Sequence, residues 1–141
     1  SIFIKESYMT IDTQACPYRL STKLVSLLNH ELQRLNSDVS GDVILHFRDQ
    51  SYSAESGGFH PVEIMIRASG QIAYITDFTY VGVGPYAELA KELDFDFGLG
   101  VFGHMGRDYD IATGRALFDV WQKNFVCYYA MGSYNVTSDP S

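Results

Sequence analysis

The chain has 141 residues, of which 46% are hydrophobic, 19% charged and 14% aromatic, the size and composition of one folded domain rather than of a disordered segment. Seventeen Asp and Glu against ten Lys and Arg give a formal charge of -7, and no Lys/Arg cluster occurs, which argues against direct binding of nucleic acid or an anionic membrane. No apolar run is long enough to span a bilayer and no basic-then-apolar leader opens the sequence.

Residues 1–18 are mixed, broken at Cys16-Pro17, and read as an N-terminal arm or edge strand. A helix follows: Ser21 is a suitable N-cap, and Leu24, Leu28, Leu32 and Leu35 recur at helical spacing until the polar stretch 36–41 ends them. Val43, Leu45 and Phe47 alternate with Ile44, His46 and Arg48, which predicts a strand, and the polar stretch 50–58 predicts a loop. Residues 62–68 and 71–82 read as two strands joined by a two-residue Ser69-Gly70 turn. That turn sets a register in which Ile66 lies opposite Ala73, Ile64 opposite Ile75 and Val62 opposite Asp77, all on a core face. The opposite face carries Glu63, Met65, Arg67, Ile72, Tyr74, Thr76, Phe78 and Tyr80, and makes Tyr74, Tyr80 and Arg67 candidates for contact with a partner.

Residues 87–93 predict a short helix, 93–97 a short strand, and the glycine-rich stretch 98–110 a loop. Leu117, Val120, Trp121, Phe125 and Tyr128 form a long helical stripe that Gly132 is placed to end. Trp121 should be buried against the sheet, with its indole N–H given an acceptor near the sheet's end. A last strand is expected over 133–137, with a frayed tail over 138–141. The sum is one domain of α+β class: an antiparallel sheet of about four to five strands with two main helices on one face.

Four features invite a chemical reading. Gly98, Gly100 and Gly103 fit G-x-G-x-x-G, but no helix opens after them and too little chain follows for a doubly wound sheet, so no dinucleotide and no other cofactor is expected. Asp94, Asp96, His104, Asp108 and Asp110 flank or sit in the same stretch and are candidate ligands for a hard cation, although EF-hand spacing is missing and turn-capping is the plainer use of such aspartates. His60 and Asp77 fall close together in the register above and form a candidate acid–base couple, against the alternative of a polar cap at the end of the sheet. Cys16 and Cys127 are too far apart for a C-x-x-C motif and read as reduced thiols in a cytoplasmic protein, against the alternative of one long-range disulfide, with Cys127 as a small buried hydrophobe.

The segments FHPVEIMI, GQIAYITDFTYVG, ELAKELDFDF and LFDVWQKNFVCYYAMGSYNV resemble a bacterial domain-of-unknown-function family, number 2787, over about residues 59–136. The most distinctive pieces are Thr76 to Phe78 and Leu117 to Phe125. The resemblance implies a bacterial cytoplasmic protein with ties to mobile elements and carries no catalytic residue with it. The leading expectation is a non-enzymatic binding domain with a protein partner, cationic or a second copy of the chain. The alternatives are a small hydrolase or isomerase using His60 and Asp77, and an acidic inhibitor that imitates nucleic acid toward a basic partner.

Overall fold

In the computed structural model, which describes residues 9–35 and 41–140, the alternating apolar residues become strands β1 (Val43–Arg48) and β2 (Val62–Ile66). They are followed by β3 (Ile72–Val81), β4 (Glu88–Asp96), β5 (Val101–His104), β6 (Arg107–Asp110) and β7 (Asn135–Pro140). Every neighbouring pair is antiparallel, in the order β6-β5-β4-β3-β2-β1-β7. The α+β class holds, but the sheet has seven strands rather than four to five. Two helices, α1 (Thr22–Leu35) and α2 (Arg115–Ala130), cover the face that carries Leu45, Phe47, Ile64, Ile75 and Phe95.

Helix α1 starts where its cap allows. The Ser21 hydroxyl accepts the Leu24 N–H at 3.1 Å and the Ser21 carbonyl accepts that of Val25. Leu24, Leu27, Leu28 and Leu32 point into the core, together with a buried Glu31. That carboxylate is not orphaned: Arg34 donates to it at 2.6 and 2.8 Å, and the Tyr129 hydroxyl of α2 donates to its other oxygen.

Helix α2 buries Phe118, Trp121, Gln122 and Phe125, so its core face is rotated from the expected stripe. Val120 and Cys127 are exposed and Leu117 is half-buried. A polar residue concealed the true phase. Gln122 faces inward because its amide closes the entrance to α1, accepting from the Ser21 N–H at 3.0 Å and donating to the Arg19 carbonyl at 3.1 Å. Gly132, at φ +74°, ends the helix as expected.

The β2–β3 hairpin departs from expectation by one residue, twice. The loop has three residues, 68–70, closed by Arg67 N–H to the Gln71 carbonyl and Gly70 N–H to the Arg67 carbonyl, both at 2.8 Å. Gly70 takes φ +91°, and a Cβ there would fall 2.0 Å from the Thr10 carbonyl oxygen. Ile66 therefore pairs with Ile72 rather than Ala73, and Ile72 is buried. A bulge at Met65/Ile66 then restores the expected register, with Ile64 opposite Ile75 and Val62 opposite Asp77.

Residues 88–93 are strand, not helix. Glu, Leu, Ala and Lys prefer helix by only tenths of a kcal/mol each, roughly, against Thr or Val. The long strand β3 would otherwise present a row of unpaired N–H and C=O groups along one edge, and β4 satisfies them. The expected loop over 98–110 is a second hairpin, β5–β6, turning at Met105 (φ +49°) and Gly106 (φ +84°). The expected frayed tail is strand β7, which pairs with β1 as far as Pro140, at an edge where a missing N–H costs nothing. In the described part of the arm, Thr13–Ala15 is a 3-10 turn and no strand forms; Ile11 and Tyr18 are buried in the core. Residues 1–8, 36–40 and 141 lie outside the described residues.

Candidate functional site

The cleft where β2, β3 and β4 meet α2 is built by two register features. The restored β2–β3 register puts Asp77 opposite Val62 on the helix-covered face. The Phe78 N–H donates to the Pro61 carbonyl at 2.9 Å and holds the segment carrying His60 beside β3. His60 Nδ1 then lies 2.8 Å from Asp77 Oδ1, so the expected pair forms. A third group joins it. Asp77 pairs with Leu93 but Phe78 with Lys91, which leaves Glu92 as the extra residue of a bulge. Its Oε2 lies 2.9 Å from the same His60 Nδ1. No local signal marked Glu92, since its surroundings read as helix.

Asp77 Oδ2 accepts the Trp121 indole N–H at 2.9 Å, which supplies the acceptor expected for that ring. Burial raises the Asp77 carboxyl above its ordinary value. The hydrogen bonds from Trp121 and His60 oppose that rise, and the charge of Glu92 adds to it. Both neighbours of His60 Nδ1 are carboxylates, so a hydrogen on that nitrogen is one that either can accept. A cavity of about 300 Å³ opens beside the cluster, walled by Phe59, Asn124, Phe125, Tyr128 and Tyr134 as well. Burial, then the Asp77 charge, also raises the Tyr134 phenol. Among the described residues, no Ser, Thr or Cys lines this cavity.

The second surface is the sheet face that no described helix covers. Cross-strand pairing aligns Thr137, His46, Glu63, Thr76, Asp94, Gly103 and Asp108 in one row across all seven strands. The adjacent row runs Asp139, Ile44, Met65, Tyr74, Asp96, Val101 and Asp110. These two rows carry six carboxylates, four of them from β4 and β6. Those four are the aspartates considered above as cation ligands. They do not converge on one point with His104: Asp94 accepts from Thr76 Oγ1 at 2.8 Å, Asp96 caps the turn at Leu99, and Asp110 caps the turn at Ala112. His104 has the parity of Phe102, on the other side of β5.

The candidate contact residues are distributed unevenly. Tyr74 donates to Glu63 at 2.6 Å on the open face, and Tyr80 stacks on Tyr52 with ring centroids 5.2 Å apart. Arg67 lies at the hairpin loop, 3.9 Å from Asp42, and its guanidinium is close to Gly98 beside Asp96. Among the described residues, the cluster in which three potential ligand residues converge is His60, Asp77 and Glu92, whose ligand atoms lie within 4.8 Å of one another.

A seven-stranded antiparallel sheet with two helices on one face defines an α+β domain, and its sequence places it further. Residues 22–139 match the family described as "Protein of unknown function (DUF2787)", and the chain belongs to that family. Two solved structures are similar along nearly their whole length. One is a hypothetical protein from the VSP-II pathogenicity island of Vibrio cholerae, 36% identical, with a TM-score of 0.76, covering 92% of this chain and 99% of that one. The other is a conserved hypothetical protein from pathogenicity island VPI-2 of Vibrio cholerae, described as sharing structural homology with the human P32 protein. It is 35% identical, with a TM-score of 0.76, covering 88% of this chain and 97% of that one. Comparison with curated proteins gives no match. Among the described residues no helix is long and apolar enough to cross a membrane.

Proposed function

We propose that this protein is a non-enzymatic interaction domain whose helix-free sheet face docks a cationic segment of a partner protein. The observation that carries the reading is the pair of cross-strand rows with Asp94, Asp96, Asp108 and Asp110 at one end. Residues two apart on a strand are separated by about 7 Å, the same repeat as alternate side chains of an extended peptide. Lys or Arg at alternate positions of such a peptide meets successive carboxylates. Arg67 and Lys91 lie beside this end of the face, with Lys91 Nζ 3.7 Å from Asp94, and Arg107 precedes Asp108 with the opposite parity on β6; four aspartates on the face against these cations keep the local field negative.

The test is fluorescence anisotropy of a labelled peptide with alternating lysines. The reading expects salt-sensitive binding that falls at least about tenfold when all four aspartates become Asn, which keeps the turn-capping oxygens. A control variant replaces Asp12, Glu55, Glu88 and Asp119 by their amides and removes the same charge elsewhere. Equal loss in both variants reduces the effect to net charge and overturns the reading, as does no binding by the wild type.

The cavity beside His60 favours a second reading, proton transfer by the His60–Asp77 couple on a small molecule. The described walls of the cavity suit isomerisation or activation of a water molecule for hydrolysis.

A further inference from the structure

We propose that His60, Asp77 and Glu92 form a three-residue binding site for one divalent transition-metal ion of the zinc class. His60 Nδ1 carries at most one hydrogen, yet carboxylate oxygens stand at 2.8 Å and 2.9 Å from it. The two acceptors therefore compete for that one hydrogen: Glu92 is partly exposed and can turn to water, whereas Asp77 is largely removed from it. A divalent cation in place of that single hydrogen satisfies all three groups and neutralises both charges.

The spacing suits an ion. Nitrogen and oxygen ligands bind zinc at about 2.0–2.2 Å, which places tetrahedral ligands of one ion about 3.3–3.6 Å apart. The observed separations of 2.8 and 2.9 Å need to open by roughly half an ångström, which side-chain rotation supplies. One imidazole and two carboxylates are a donor set for Zn²⁺ and neighbouring first-row ions rather than for Ca²⁺, which takes oxygen ligands alone. The ligand of greatest burial is also fixed from behind: Trp121 holds Asp77 Oδ2 at 2.9 Å and leaves Oδ1 directed at the site. His60 and Glu92 are partly exposed and His60 lines the cavity, which provides an entry path and room for further ligands such as water. The three residues come from the segment before β2, from β3 and from the β4 bulge, so the site exists only in the folded chain. It is separate from the acidic sheet face and does not depend on it.

The experiment uses the full chain, washed with chelator and titrated with zinc chloride by calorimetry, with Trp121 emission followed in parallel. One equivalent is expected to bind with micromolar or tighter affinity, to change the emission of the ring that touches Asp77, and to raise the thermal midpoint. Glu92→Gln, which alters a partly exposed side chain, is expected to fold and to weaken binding at least about tenfold, and His60→Gln likewise. Cobalt in place of zinc gives visible absorption bands that report nitrogen and carboxylate ligation and are lost with His60→Gln. The variant with Asn at positions 94, 96, 108 and 110 is expected to bind zinc as the wild type does. The proposal is overturned if the wild type takes up no stoichiometric zinc, if both ligand variants bind it unchanged, or if the open-face variant is the one that loses it.

Discussion

Trp121 in the middle of α2 donates its indole N–H to Asp77 Oδ2 on β3, 2.9 Å away and 44 residues distant in sequence. The same carboxylate holds His60 through its other oxygen. One side chain thus ties the helix layer to the sheet and fixes the cleft. The indole ring packs among Phe95, Phe118 and Phe125, with the Phe125 centroid 4.8 Å away.

Replacing that ring separates packing from hydrogen bonding. Trp121→Phe keeps most of the apolar contact and leaves Asp77 Oδ2 without its donor, an expected loss of about 1–3 kcal/mol. Trp121→Ala also opens a cavity, and the expected loss is about 3–5 kcal/mol. Urea denaturation of both variants measures the two steps. As the chain's single Trp, the residue should emit at short wavelength in the native state and shift to the red on unfolding. An unchanged midpoint for Trp121→Ala would place the ring outside the core.

The Asp77 carboxyl predicts a pH dependence of stability with a definite sign. Burial is the largest influence and raises it above the ordinary 3.8, so the native state binds more protons than the unfolded state over a window that opens there. Stability then falls as pH rises through the window. Asp77→Asn removes this contribution while keeping an oxygen for Trp121. Denaturation midpoints compared across about pH 4 to 7 should show the wild type losing stability relative to the variant as pH rises. The opposite slope would mean that the folded protein favours the charged carboxylate.

Met105 predicts an easy stabilisation. It is the non-glycine residue with positive φ among those described, at +49° in the β5–β6 turn before Gly106. Its side chain is 53% exposed, so little packing is lost on replacement. Met105→Asn creates the Asn-Gly pair that such turns favour, and a gain of about 0.5–1 kcal/mol is expected. Thermal melts give the readout, and a fall in midpoint would show that Met105 makes contacts worth more than its strain.

Gly114 predicts the reverse. It needs no unusual backbone angle, but a Cβ there would meet Phe102 Cγ at 2.7 Å and the Tyr18 hydroxyl at 2.8 Å. That hydroxyl donates to the Ile111 carbonyl and anchors the arm to the turn before α2. Gly114→Ala should cost about 1–3 kcal/mol through overpacking. Near-native stability together with unchanged protection of the Tyr18 region in amide exchange would show that the contact relaxes freely.

Elements whose evidence is local could be read from the residues alone. Ser21 with the leucines of α1 carries both a cap and a helical period, and Val43, Leu45 and Phe47 carry a period of two. Glycine in the 67–71 turn was enough to bring His60 beside Asp77, because two one-residue errors in the hairpin cancel at the Met65/Ile66 bulge. Trp121 is large enough that burial and the need for an acceptor follow from its type. Tertiary structure decided the rest. Residues 88–93 are helix formers by propensity, and only the open edge of β3 makes them a strand. The same pairing delivers Glu92 to His60, a contact between residues whose local surroundings say nothing of each other. The alignment of Asp94 with Asp108 and of Asp96 with Asp110 likewise arises across β5, because strand pairing sums weak long-range preferences that no short window of sequence contains.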